Sequence, residues 1–363
     1  MSLAIVGIGT AVPQHVIAQG DAAELAKAFC CQTDQQARVL TNLYHHTHIQ
    51  RRGSVLLDRA NGSGPRQSFF EPAVNQSDLG PTTRERMDRY AQEAPAMALS
   101  AAQKALAQSG VAAQEITHLI TISCTGFAAP GADIFLIETL GLSPTVSRTH
   151  IGFMGCHAAL NGLRVALAVA DSDPNARVLL CAVELCSLHF QYGWDPDQVI
   201  ANALFADGAA AVVGVPGAAA PQDAWRVEAT GSCLFPNSRD AMAWRVGDHG
   251  FEMTLSRRVP DLIAAHLRPW LEQWLGQHRL GLEQIRSWAI HPGGPRILSS
   301  AVECLGLPPT AGVLSDQVLA ECGNMSSPTI LFILDRLRVQ QAPRPCLALG
   351  FGPGLVAEAA LLI

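Results

Sequence analysis

The sequence predicts an α/β fold built from two similar halves. Apolar, β-prone runs alternate with amphipathic helical stretches along most of the chain. The apolar runs are hydrophobic on both faces, as expected of strands in a sheet covered by helices on both sides. Each half also closes on apolar strands joined through small residues, FADGAAAVVG in the first and GFGPGLVAEAALL in the second. That recurrence reads as an internal duplication too diverged for residue-by-residue alignment.

Residues 2–9 form a buried strand that ends at a Gly/Pro turn. From Asp21 to Thr47 the pattern is helical, and Asn61 to Thr83 is a Gly/Pro/Ser/Asn-rich surface loop. Arg84 to Gly110 is an amphipathic helix with apolar positions at Met87, Tyr90, Ala94, Met97 and Ala101. The strand HLITISCTG and the helix DIFLIETLG follow, then THIGFMGC and a helix from Cys156 to about Ala170. The strand ARVLLCAVEL and a helix leading into FADGAAAVVGV complete the first half. A Pro/Ala-rich connector at 215–224 separates residues 1–220 from 221–363. In the second half come WRVEATGSCLF, a helix from Leu255 to Trp274, the strand SWAIHP, the helix MSSPTILFILDRL, and strands PCLALGFG and LVAEAALLI.

Composition narrows the function classes. With 48% hydrophobic and 15% charged residues, the 363-residue chain is no disordered protein and is long enough to bury a sizeable core. A net charge of −6 and 6% aromatic residues argue against binding nucleic acid through phosphates or base stacking. The ten cysteines include no C-x-x-C pair and sit mostly in apolar runs, which fits buried thiols in a reducing compartment. MSLAIVGIGTAVP lacks the basic region of a signal peptide. The apolar stretch 346–363 is interrupted by Gly, Pro and Glu358, which disfavours a membrane span. A cytoplasmic protein is expected.

Three segments carry candidate chemistry. Cys156, in GFMGCHAALNGL, stands at a strand-to-helix turn where free N–H groups and the helix dipole favour a thiolate, the form that captures acyl groups from thioesters. A structural cysteine is the competing reading. His291 follows an apolar strand at the Gly/Pro turn HPGG and suits a general base or thiolate partner. HHTH at 45–48 competes with it as a cluster, but no Cys or carboxylate stands near at metal-ligand spacing, so no metal is expected there. Asn324, in GNMSSPTILFIL, opens a helix either as a cap or as an amide donor to an oxyanion or enolate.

Together the strings GFMGCHAALNGL, NALFADGAAAVV, WAIHPGGPRIL, GNMSSPTILFIL and GFGPGL resemble the type III polyketide synthases, the group containing chalcone and stilbene synthases. They occur in the family's order and spacing from about residue 110 to the end; the first hundred residues match more loosely. The resemblance implies a thiolase-like fold of two halves in α-β-α-β-α layers, and a homodimer. It implies that Cys156 carries the starter and growing chain, and that His291 pairs with the thiolate. With Asn324, His291 would orient malonyl-CoA for decarboxylation and Claisen condensation. CoA thioesters are then substrates, no cofactor is implied, and an acyl carrier protein is a possible partner.

Within that resemblance, Phe205 matches an aromatic gatekeeper between CoA tunnel and cavity; plain core packing is its other reading. The second gatekeeper phenylalanine aligns with Met253, while Phe251 lies two residues earlier. Trp244 stands where plant members have a cavity-lining glycine, which would limit chain extension. Cys124, Cys186 and His189 replace cavity threonines, and Ser326 is placed in the same pocket. Ala129 replaces a methionine that crosses the plant dimer. These departures point to a bacterial-type member. The plant basic residues for CoA are mostly missing, and the expected CoA contacts are Arg38, His46, Arg51 and Arg52. A ketoacyl-ACP synthase of the β-ketoacyl synthase III type is the nearest enzyme alternative, though its His-Gln-Ala-Asn string is HPGG here. A thiolase and a non-catalytic thiolase-fold partner are the others.

Overall fold

The computed structural model describes residues 2–58, 66–75 and 77–363. The first half runs β1 (Leu3–Ala11), β2 (Val16–Ala18), α1 (Gln19–Cys30), α2 (Asp34–His45), β3 (Arg51–Gly53) and α3 (Thr83–Ser109). It continues with β4 (His118–Ser123), α4 (Ala132–Leu140), β5 (Ser147–Gly152), α5 (Ala158–Ser172), β6 (Val178–Leu185), α6 (Pro196–Leu204) and β7 (Asp207–Pro216). The second half opens with β8 (Trp225–Leu234), β9 (Met242–Gly247), β10 (Gly250–Leu255), α7 (Val259–Gln277) and β11 (Ser287–Ile290). It ends with α8 (Pro295–Cys304), α9 (Val313–Cys322), α10 (Pro328–Val339), β12 (Cys346–Gly352) and β13 (Val356–Leu362).

Nine strands form one sheet in the order β11-β12-β13-β8-β1-β7-β6-β4-β5. Outward from the β1–β8 junction the two sides repeat each other. β1-β7-β6-β4 and β8-β13-β12-β11 both run antiparallel, antiparallel, parallel. The first side alone gains a further parallel strand, β5, at its edge. The duplication is thus visible in topology where the residues no longer align.

Side-chain alternation builds the layers. On β6, Leu179, Cys181 and Val183 turn to one core with the alanines of α3, while Val178, Leu180 and Ala182 turn to a second with α5 and α10. On β12, Cys346 and Ala348 join that same middle core; Leu347, Leu349 and Phe351 face a third with α7 and α8. Both faces are buried, so these strands read as unbroken apolar runs. Ile330, Leu331, Ile333 and Leu334 of α10 are fully or almost fully buried, each contributing about 1.5–3 kcal/mol. α3 lies so close to β1 that a Cβ at Gly9 would fall 2.2 Å from the Ala101 carbonyl.

Local differences have local causes. The helical stretch 21–47 is two helices, because Thr33 starts α2 anew through a capping box with Gln36. Leu255 ends strand β10, and the helix expected from it begins at Val259, with proline in its first turn. Of the expected loop 61–83, residues 61–65 and Gln76 lie outside the described residues; elsewhere it carries only an isolated bridge from Asp58 to Arg66 before α3 opens at Thr83. The hairpin β9–β10 and helices α8 and α9 are additions to the sequence reading.

Candidate active site

Cys156 sits in a 3₁₀ turn, Gly155–His157, that connects β5 to α5. The turn demands glycine at 155: its φ is +75°, and a Cβ there would fall 2.3 Å from Cδ of Pro353. Pro353 belongs to the GFGPGL turn between β12 and β13, so the second half presses directly on the Cys156 turn. The thiol is 7% exposed. Burial pushes it up to about 12, while Ser326 and Asn324 act on the sulfur in the opposite sense, as hydrogen-bond donors.

Asn324 arrives from the other half, just past α9. Its Oδ1 accepts from Ser326 N at 2.8 Å, and its Nδ2 donates to Gly293 O at 3.3 Å. The first bond turns Oδ1 away and presents the amide N–H side. Ser326 is held at φ +57°, a left-handed conformation unusual for serine, and its hydroxyl lies 3.5 Å from Cys124 Sγ.

His291 follows β11, its N–H donating to Leu349 O at 2.8 Å. The ring is 1% exposed, and neither nitrogen has a hydrogen-bond partner among the described residues. Burial, and after it the neighbouring His157, pushes the imidazole down to about 3. Considered separately, burial therefore favours the neutral thiol and the neutral imidazole. An ion pair between them has to draw its stabilisation from mutual attraction and from the Asn324 and Ser326 donors. Buried ring nitrogens without partners are the kind of orphan that marks a reacting site.

Cys156 opens on a small, almost wholly apolar cavity walled by Cys124, Phe205, Trp244, Met253 and Ser326. A second, larger and mostly apolar cavity adjoins it, with Cys186, Phe205, Trp244 and Met253 forming walls of both. These four side chains are the partition. Trp244 is fixed there by a 2.6 Å hydrogen bond from Nε1 to Cys124 O and stands edge-on to His189 and Phe251. His189 lines only the larger cavity. Its Nε2 donates to Thr125 O at 2.6 Å and its Nδ1 accepts from Phe251 N at 2.9 Å, so the ring is neutral and both nitrogens are engaged. It ties the β9–β10 hairpin to the wall beneath it.

Arg38, His46 and Arg51 are exposed, and His46 bonds Asn42 O at the end of α2. Arg52 differs from them. It is buried and gives Nη1 to the carbonyls of Asn202 and Phe205, both at 2.7 Å, which makes it a tether for the Phe205 turn rather than a surface cation. In HHTH, His48 pairs with Asp316 at 3.2 Å.

Glu184 escaped the sequence reading. Fully buried on β6, its carboxylate accepts from Cys124 N, Thr125 Oγ1 and Ser327 Oγ at 2.7–2.9 Å, and burial raises its pKa. It joins the Cys124 loop to the start of α10. A lone Glu inside the apolar run VLLCAVEL was the available signal.

The family description "Chalcone and stilbene synthases, N-terminal domain" matches residues 2–218, and its C-terminal counterpart matches 227–363. The alpha-pyrone synthesis polyketide synthase-like Pks18 of Mycobacterium tuberculosis is 33% identical over 98% of this chain and 90% of its own. The 1,3,6,8-tetrahydroxynaphthalene synthase of Streptomyces peucetius is 32% identical over 99% of this chain and 92% of its own. The crystal structure of PKS-I from the brown alga Ectocarpus siliculosus superposes with a TM-score of 0.92 at 30% identity, over 99% of this chain and 98% of that one. These matches fall on the polyketide branch and not on the ketoacyl-ACP synthase alternative. The fold is thiolase-like, and the chain belongs to the chalcone and stilbene synthase family: it is a type III polyketide synthase, an acyltransferase that works by decarboxylative condensation.

Proposed function

We propose that Cys156 carries the acyl chain, that His291 takes its proton, and that Asn324 and His291 bind the malonyl thioester oxygen. The observation that carries this is the convergence of Asn324 and Ser326 on a buried Cys156 thiol, with Asn324 also bonded to Gly293 O two residues after His291, whose two ring nitrogens are unpartnered. Thiolate attack on a starter acyl-CoA releases CoA and forms the Cys156 thioester. Loss of CO2 from malonyl-CoA leaves an enolate, whose oxygen needs N–H donors already in place rather than a carboxylate base. The enolate carbon attacks the Cys156 thioester, expelling the thiolate and giving a β-ketoacyl-CoA that returns to Cys156 for another round. Exclusion of water from the small cavity limits hydrolysis.

Phe205 and Met253 act as the gate between the two cavities, and Trp244 sets how much chain the inner one holds. Cys124, Cys186 and Ser326 shape its walls, with His189 behind them. The larger apolar cavity takes the remainder of the starter or the arm of CoA, whose phosphates meet Arg38, His46 or Arg51 at the surface. Products are pyrones or phenolic polyketides; the Mycobacterium relative, named for alpha-pyrone synthesis, and the tetrahydroxynaphthalene synthase of Streptomyces support one of each class.

A second copy of the chain is the partner we assign. β5 is an exposed edge strand, and Phe127, Phe153 and Met154 expose 56%, 38% and 39% of their surface beside the nucleophile turn. Among the described residues no helix is long and apolar enough to cross a membrane, and all ten cysteines are free thiols; the latter supports a cytoplasmic setting. The test is mass spectrometry of products formed from malonyl-CoA and a panel of acyl-CoA starters. Polyketides lost on Cys156→Ala are expected. Single-condensation products formed only from a malonyl-carrier protein would overturn the reading.

A further inference from the structure

Phe251, on β10, is fully buried and meets four other aromatic rings. It stacks on His189 with centroids 4.1 Å apart and planes at 13°. It also lies nearly parallel to Phe127, at 6.1 Å and 14°. Three near-parallel rings therefore run from Phe127, more than half exposed beside the Cys156 turn, to the buried His189. Trp244 stands edge-on to the inner pair, 5.4 Å from His189 and 5.7 Å from Phe251. Phe153 leans on Phe251 at 5.4 Å and on Phe127 at 6.3 Å, from a φ of +57° that a bulky residue rarely adopts. His189, Trp244, Phe251 and Met253 line the larger cavity, whereas Phe127 and Phe153 line neither.

The β9–β10 hairpin binds Phe251 and Trp244 to each other. Met253 pairs with Trp244 in register, so Phe251, two residues earlier, lies diagonally from the indole on the same hairpin face. Trp244 then has two kinds of support. The bond from Nε1 to Cys124 O fixes one point of the indole, and the contacts with Phe251 and His189 fix its plane. His189 cannot shift readily, since both its nitrogens are engaged by backbone. The Phe251 ring has no polar anchor of its own and depends on the rings around it, among them Phe127.

We infer that Phe127 is a positioning residue for the partition between the two cavities: through Phe251 its ring holds Trp244 in place, and so limits chain extension without touching the chain. The inference rests on the reading of Trp244 as the side chain that sets how much the inner cavity holds. Cutting Phe127 back to alanine lets Phe251 retreat toward the surface, and the indole follows it away from the partition. The cavity beside Cys156 widens, while the Cys156 turn and the Asn324 amide stay where they are.

Products formed from malonyl-CoA and one acyl-CoA starter are resolved by mass for the wild type, Phe127→Ala, Phe127→Tyr, Phe251→Leu and Trp244→Gly. The rate of Cys156 alkylation by iodoacetamide and the molecular mass in solution are measured on each. The ratio of longer to shorter products is expected to rise about two- to tenfold in Phe127→Ala and Phe251→Leu, the weight of one aromatic pair. Phe127→Tyr keeps the ring and should keep the wild-type ratio, and the alkylation rate should not follow the product shift. A ratio unmoved or lowered in Phe127→Ala, while Trp244→Gly lengthens the products, would overturn the inference. Unchanged products in Trp244→Gly would overturn the reading of Trp244 instead, and this inference with it. Phe251→Leu decides if Phe127→Ala alters the oligomeric state, because Phe251 is fully buried; Phe127→Ala decides if Phe251→Leu does not fold.

Discussion

Phe205 and Asn324 are joined through their backbones as a single parallel bridge between the two halves. Asn324 N donates to Leu204 O at 3.0 Å and Ala206 N donates to Asn324 O at 2.9 Å. The aromatic ring at the wall and the amide that faces Cys156 thus sit on one rigid unit, to which Arg52 adds a 2.7 Å bond from Nη1 to Phe205 O. In the proposed mechanism, the wall of the inner cavity and the enolate donor therefore share one backbone support.

Asn324→Ala removes the donor while leaving the backbone bridge, which uses no side-chain atom. Malonyl-CoA decarboxylation is expected to fall about 10²–10³-fold, the usual effect of deleting one oxyanion donor. Loading of Cys156 from a starter acyl-CoA should persist within several-fold. Acyl-Cys156 measured by mass, together with CO2 release, checks the split. An equal loss in both steps would show that the amide serves the fold rather than the enolate.

Trp244 offers a test of cavity volume. Trp244→Gly empties the partition and deletes the 2.6 Å bond to Cys124 O. Longer products or bulkier starters are expected. Trp244→Phe keeps most of the bulk and loses only the hydrogen bond, so its product lengths should stay near those of the wild type. Identical spectra for all three proteins, across several starters, would show that this ring does not limit extension.

The strands were legible because burial on both faces leaves a continuous apolar run, as in β6 and β12, and turn residues mark their ends. Cys156, His291 and Asn324 were legible because each sits where a strand or loop meets a helix or a Gly-rich turn. The β9–β10 hairpin was not, since β9 opens on three consecutive apolar residues, Met242 to Trp244, that hide its period, although β10 alternates Phe251, Met253 and Leu255 with the exposed Glu252 and Thr254. His189 reads in sequence as a cavity-lining polar group. Only the structure shows both its nitrogens consumed by backbone, because that pairing spans residues 125 to 251. Arg52 has the same history: a cation in a basic pair, turned inward by carbonyls about 150 residues away.

Gly155→Ala tests the turn itself. Alanine at φ +75° is strained, and its methyl would meet Pro353 at 2.3 Å. A destabilisation of about 2 kcal/mol or more is expected from the two effects together, read as a lower urea midpoint. The alkylation rate of Cys156 should fall with it, because the turn that places the thiol must shift. Wild-type stability in the variant would mean that the GFGPGL turn gives way freely.

Asp207, at the start of β7, provides a pH test independent of the reaction. Its fully buried carboxylate accepts from Ser187 N, Ser187 Oγ and Val55 N at 2.6–2.8 Å, yet burial outweighs these bonds and raises its pKa from 3.8 to about 6. The folded state therefore holds this proton more tightly than the unfolded chain does. Its contribution to stability is fully present below pH 3.8 and is lost as pH rises through about 6. A shift of about two units corresponds to about 3 kcal/mol. Asp207→Asn cannot ionise, and whatever it loses in hydrogen bonding is the same at every pH. Its stability relative to wild type should therefore improve by about 3 kcal/mol from pH 3 to pH 7, with most of the change between pH 4 and 6. Urea unfolding of both proteins across that range measures the difference, since the remaining titratable groups cancel. A constant difference would mean that the Ser187 and Val55 donors hold the carboxylate at its ordinary pKa.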